Sequence, residues 1–113
     1  GALISASAIA GAVIAGANDS EIDSIERYAT RLGLLFQITD DLLDVTQSSE
    51  TIGKTAGKDV HARKATYPGH MGIDATRVLA REVCKAANDA LTAIDHDTDL
   101  LRYISENILN RET

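Results

Sequence analysis

Apolar residues recur at helical spacing along most of this chain and divide it into five segments. Residues 2–17 are apolar almost throughout and rich in Ala and Gly, which predicts a buried helix. Asn18, Asp19 and Ser20 break it and supply cap residues. Over residues 21–45, Ile22, Ile25, Ala29, Leu32 and Phe36 mark one face of a long helix. Glu21 and Asp23 lie in its first turn, where the helix dipole favours acids. Residues 46–66 are polar, include Gly53 and Gly57, and read as a loop of about 20 residues, a length usually tied to function or disorder.

Helix resumes in the stretch TYPGHMGID, with Pro68 suited to a first helical position. Gly72 interrupts it. Asp74 is the expected N-cap of a helix over residues 75–94 whose inner face is Val78, Leu79, Val83, Ala86, Ala90, Leu91 and Ile94. DHDTD is a turn. A last helix over residues 100–110 turns Leu101, Ile104 and Ile108 inward, with Leu109 beside them. No stretch alternates with the period of a strand and no internal repeat appears, so the predicted fold class is all-α, with about five helices.

Composition narrows the function classes. At 113 residues, 44% hydrophobic and 25% charged, the chain suits one small folded unit and is too apolar for disorder. The net charge of −6 argues against nucleic acid and anionic membrane as partners. Cys84 is the single cysteine, reads as an inert partly buried thiol, and gives no sign of secretion. The apolar start falls short of the ~20 residues a membrane span needs, so no stable membrane insertion is expected. It also lacks the positive lead of a signal peptide and begins without Met. It reads as a chain cut inside a larger protein, with Ala6, Ala10, Gly11 and Ala15 shaped for close packing on a helix from the missing part.

The charge pattern of FQITDDLLDV, residues 36–45, is less ordinary. On a helical wheel with Asp40 at zero, Asp44 falls near 40°, Gln37 near 60° and Asp41 near 100°. Val45, Ile38, Leu42 and Leu35 follow at roughly 140° to 220°, and Leu43 and Phe36 lie at roughly 300° to 320°. The polar arc is therefore narrow, has apolar shoulders, and meets no basic residue between Arg31 and Lys54. Two readings stand: an exposed acidic face, or a cavity wall holding a divalent cation. Oxygen-only donors suit Mg²⁺, which takes one or two carboxylates plus waters and phosphate oxygens. The segment after it, residues 53–66, carries Lys54, Lys58, Arg63 and Lys64 against one acid, Asp59. Carboxylates holding Mg²⁺, the metal holding phosphates and lysines taking the remaining charge form a joint use for both stretches. The segment lacks the GxxxxGK[ST] pattern of a P-loop. His61, His70 and His96 lack metal-ligand spacing and are expected to be non-ligands.

The stretch GLLFQITDDLLDVTQSSETIGKTAGKDVHARKATYP resembles the second aspartate-rich region of the trans-isoprenyl diphosphate synthases, the farnesyl and geranylgeranyl type. FQxxDDxxD, the later GK, the D-x-x-x-x-K from Asp59 to Lys64 and TYP carry the likeness, which extends to the first helix and to YISENILNRE. The resemblance implies the C-terminal portion of the isoprenoid synthase helical bundle over residues 1–113. It implies Asp40 as the main Mg²⁺ ligand, with Asp41 and Asp44 ligating through water or supporting it, and Gln37 as their partner. Lys54, and more weakly Lys64, would contact the allylic diphosphate, and Asp59 would hydrogen-bond metal waters. The implied reaction is prenyl transfer: Mg²⁺-assisted ionisation of an allylic diphosphate, attack by isopentenyl diphosphate, and loss of a proton. The first aspartate-rich motif and the isopentenyl diphosphate site are absent from this sequence, so the separate chain is expected to be inactive. A homo-oligomer, a dimer, is expected, in the cytoplasm or behind a plastid or other transit peptide upstream. The alternatives are a non-catalytic helical interaction or regulatory subunit and a class I terpene cyclase fragment. The repeated DDxxD, the GK and the TYP weigh against the cyclase.

Overall fold

The computed structural model of the protein describes residues 2–50 and 65–111, the side chains of 48–50 excepted. The described residues form five helices and no strand: α1 Ala2–Ile14, α2 Asp19–Glu50, α3 Tyr67–Met71, α4 Ile73–Leu91 and α5 Asp99–Asn110. The all-α prediction holds. Lys54, Lys58, Asp59, His61, Arg63 and Lys64, the charged residues expected to face phosphate among them, lie outside the described residues.

The 32-residue α2 is the axis of the molecule, and α4 packs along it more extensively than any other element. Two apolar clusters run down this seam. Leu35, Ile38, Leu42, Ala80, Val83 and Cys84 form one, with Tyr67, Leu79, Ile108 and Leu109 at its edge. Tyr28, Leu32, Ala87 and Leu91 form the other, closed by Ile4, Ile25, Ile94, Leu101 and Ile104. Polar side chains are buried with them where the backbone satisfies them. The Thr39 hydroxyl donates to the Leu35 or Phe36 carbonyl at 3.0 and 3.1 Å, and the Tyr28 hydroxyl donates to the Leu101 carbonyl at 2.6 Å. Burial, with a smaller contribution from the nearby Cys84 charge, pushes the Tyr28 phenol up to about 12. Burial likewise raises the Cys84 thiol, against an opposing hydrogen bond from Ser105, and the side chain is buried in the Leu35–Leu42 cluster.

The helix ends follow local chemistry, not always at the expected residue. Gly16, at φ +81°, closes α1: its N–H bonds to Val13 O and that of Ala17 to Ala12 O, both at 3.0 Å. Asn18 caps α2, which starts at Asp19, two residues before the expected Glu21. The Asn18 side chain accepts from Glu21 N–H at 2.8 Å and the Glu21 carboxylate accepts from Asn18 N–H at 3.1 Å. The expected cap at Asp74 is corrected: Gly72, at φ +90° and ψ 162°, precedes α4, and Asp74 lies in the first turn. That backbone region is open only to glycine, so Gly72 lets α3 turn directly into α4. α2 also continues past Val45 to Glu50, and α4 stops at Leu91 instead of Ile94.

Burial departs from the pattern at three places. Val78 is 45% exposed and Phe36 41% exposed, although both fall on expected inner faces. None of the described residues of α1 is buried, and Leu3, Val13 and Ile14 are largely exposed. A helix that is apolar all round can cover only one side of itself with α2. Ile4 closes the Tyr28 cluster while the opposite side stays open.

Candidate functional site

The acidic arc lies in the C-terminal half of α2, and its three aspartates have three different surroundings. Asp44 is exposed. Asp40 is partly exposed and forms an ion pair: Arg111, at the C-terminal end of α5, donates a guanidinium N–H to its Oδ1 at 2.8 Å. Asp41 is 7% exposed, accepts from Gln37 Nε2 at 2.9 Å, and accepts from the backbone N–H of Tyr67 at 3.2 Å.

The wheel explains the split. Asp41, near 100°, borders the shoulder formed by Ile38 and Leu42, both fully buried against the α4 side. Asp40 borders the other shoulder, where Phe36 is left partly open and Arg111 covers it. The guanidinium stacks 4.2 Å from the Phe36 ring centroid, donates to Phe36 O at 2.9 Å, and reaches Thr39 Oγ1 at 2.7 Å. Arg111 fits this place because a planar fork can serve a carboxylate, a hydroxyl, a carbonyl and an aromatic face together.

Gln37 bonds to a motif aspartate four residues on, Asp41. The sequence assigns the countercharge for the stripe to residues 53–66. Among the described residues the cation beside Asp40 is Arg111, 71 positions away along the chain. Local pattern carries no signal for that contact, because closure of α5 against α2 creates it. The Tyr67 N–H was likewise invisible, although TYP marked the right segment. His70 is exposed, and His96 pairs through Nε2 with Glu21 Oε2 at 3.1 Å, away from the stripe.

Asp40 and Asp44, one helical turn apart and both reached by solvent, present hard oxygen donors of the kind Mg²⁺ accepts when waters and phosphate complete its shell. That donor chemistry fits the group. Among the described residues no three His, Cys, Asp or Glu side chains already converge as a metal cage. No helix among them is long and apolar enough to cross a membrane.

Comparison with known proteins agrees with this motif. The polyprenyl synthetase family model matches residues 1–104. The chloroplastic heterodimeric geranylgeranyl pyrophosphate synthase large subunit 1 of Arabidopsis thaliana is 48% identical over 96 residues, 85% of this chain and 26% of that protein. The chloroplastic geranylfarnesyl diphosphate synthase of Leucosceptrum canum is 48% identical over 94 residues, 83% of this chain and 26% of the relative. The mitochondrial geranylgeranyl pyrophosphate synthase 10 of Arabidopsis thaliana is 43% identical over 112 residues, 98% of this chain and 33% of the relative. The chain thus spans about a quarter to a third of the length of these relatives. It belongs to the polyprenyl synthetase family.

Proposed function

We propose that this chain is the C-terminal part of a prenyltransferase that condenses isopentenyl diphosphate with an allylic diphosphate, giving a short-chain product of the farnesyl or geranylgeranyl class. The observation that carries the reading is the placement of Asp40 and Asp44 on one solvent-reached face of α2, within a motif that family membership makes meaningful. The names of the relatives, geranylgeranyl and geranylfarnesyl diphosphate synthases, support the substrate class.

In this reading Asp40 is the principal residue holding Mg²⁺, Asp44 assists it, and Asp41 supports the pair from its buried place on α2. The bound metal supplies charge stabilisation for the departing pyrophosphate. Gln37 holds Asp41, while Arg111 orients Asp40 through its guanidinium hydrogen bond. Lys54 and Lys64 are the proposed contacts to the allylic diphosphate, and Asp59 the partner of metal-bound water. The separate chain is read as inactive, since it spans so small a share of its relatives. Assembly as a homodimer belongs to the same proposal, as does a cytoplasmic location. An organelle-targeting leader upstream is the alternative, because the relatives are named chloroplastic or mitochondrial.

Thermal unfolding with Mg²⁺ and inorganic pyrophosphate tests the site. Mg²⁺ and pyrophosphate together are expected to raise the Tm of the chain, and Asp40→Ala to abolish the rise. No rise in the wild type, or an equal rise in Asp40→Ala, contradicts the reading.

A further inference from the structure

Asp41 is the least exposed of the three motif aspartates, and each of its oxygens is engaged by a neutral donor. Gln37 Nε2 meets Oδ1 at 2.9 Å, and the Tyr67 backbone N–H meets Oδ2 at 3.2 Å. A carboxylate this deeply placed needs such donors to offset its lost hydration. The second donor is informative because it comes from 26 positions away. Tyr67 opens α3, directly after the Thr66 cap, whose hydroxyl accepts from Gly69 N–H at 3.2 Å. Pro68 follows, buried, with no N–H to offer. The Tyr67 side chain packs against the Leu35–Leu42 cluster. Apolar packing therefore holds Tyr67 against the bundle, and its hydrogen bond to Asp41 sets where along α2 it sits.

We propose that Asp41 is a positioning residue that pins the turn at residues 66–68 to α2. It fixes the point at which the chain rejoins the acidic helix and leaves metal binding to the faces of Asp40 and Asp44. The inference rests on the magnesium reading of those two residues. It gives the second aspartate of the motif a task that needs its acceptor oxygens and not its charge.

Hydrogen exchange at the Tyr67 amide tests it, in the wild-type chain and in Asp41→Asn and Asp41→Ala. Asparagine keeps an oxygen for the Tyr67 N–H, and its amide can donate to a flipped Gln37. Asp41→Asn is expected to hold the Tyr67 exchange rate within about twofold of wild type, and Asp41→Ala to speed it about tenfold or more. Unchanged protection in Asp41→Ala overturns the proposal. So does loss of protection in Asp41→Asn, because charge would then be the requirement; this isosteric variant decides alone if Asp41→Ala does not fold. With Mg²⁺ and pyrophosphate, Asp41→Asn is expected to keep the wild-type rise in Tm that Asp40→Ala loses. An Asp41→Asn chain that loses the rise as Asp40→Ala does makes Asp41 a metal ligand and overturns the proposal. A wild-type chain with no rise refutes the magnesium reading alone, and the Tyr67 comparison still decides the anchor.

Discussion

Arg111 and the two adjacent aspartates show how one turn of helix handles charge beside a core. Asp41 is held by neutral N–H groups on its buried side. Asp40 meets a guanidinium on its open side, and that guanidinium is itself held by Thr39, Phe36 O and the Phe36 ring. Phe36 therefore stays partly exposed without being wasted: its face supports the cation. Arg111→Ala removes the ion pair and leaves buried Thr39 without the hydrogen bonds that Arg111 donates to it. With Asp40 partly solvated, the expected cost is about 1–2 kcal/mol, read as a lower denaturant midpoint with unchanged m-value. A midpoint equal to wild type would mean that the contact contributes nothing to stability.

At the scale of the elements, glycines separate two kinds of helix. Gly11 sits inside α1 with nothing within 4 Å of an added Cβ, so it weakens the helix without filling a close contact. Gly72 stands between α3 and α4 at φ +90°, a conformation that side chains resist. Gly11→Ala is expected to stabilise by up to about 1 kcal/mol. Gly72→Ala is expected to destabilise by about 1–3 kcal/mol. Paired thermal melts check both signs, and a stabilising Gly72→Ala would show that the α3–α4 turn is not fixed as described. The strain matters for the site because α3 carries Tyr67, the donor to Asp41. A turn that shifted would move that donor along α2.

For the molecule as a whole, regular spacing made the all-α architecture legible, and the seam of α2 with α4 follows from it. Leu35, Ile38 and Leu42 recur on one wheel face and are all fully buried. The narrow acidic arc was legible within ten successive residues, and the family likeness in that arc together with the GK, the D-x-x-x-x-K and the TYP that follow it. What local pattern missed depends on chain closure. Arg111 reaches Asp40 from the far end of the chain, Tyr67 reaches Asp41 across an intervening segment, and Gly72 takes the cap position from Asp74 through backbone freedom. Val78 shows the converse limit, an apolar side chain in phase with the core yet open to solvent. α1 shows the same limit over a whole helix. Its spacing predicts burial, but α2 has room for only one side of it.

As proposed above, this chain contributes a magnesium-holding wall to a prenyltransferase, with Asp40 as its principal ligand. The most direct measurement grafts residues 1–113 in place of the matching quarter of the Arabidopsis thaliana relative and follows Mg²⁺-dependent condensation of isopentenyl diphosphate with an allylic diphosphate. The graft is expected to turn over, and Asp40→Ala within it to lose about 100-fold or more in rate, the scale of removing one electrostatic stabiliser of the departing group. A folded graft in which Asp40→Ala turns over at the parent rate would rule out Asp40 as that ligand.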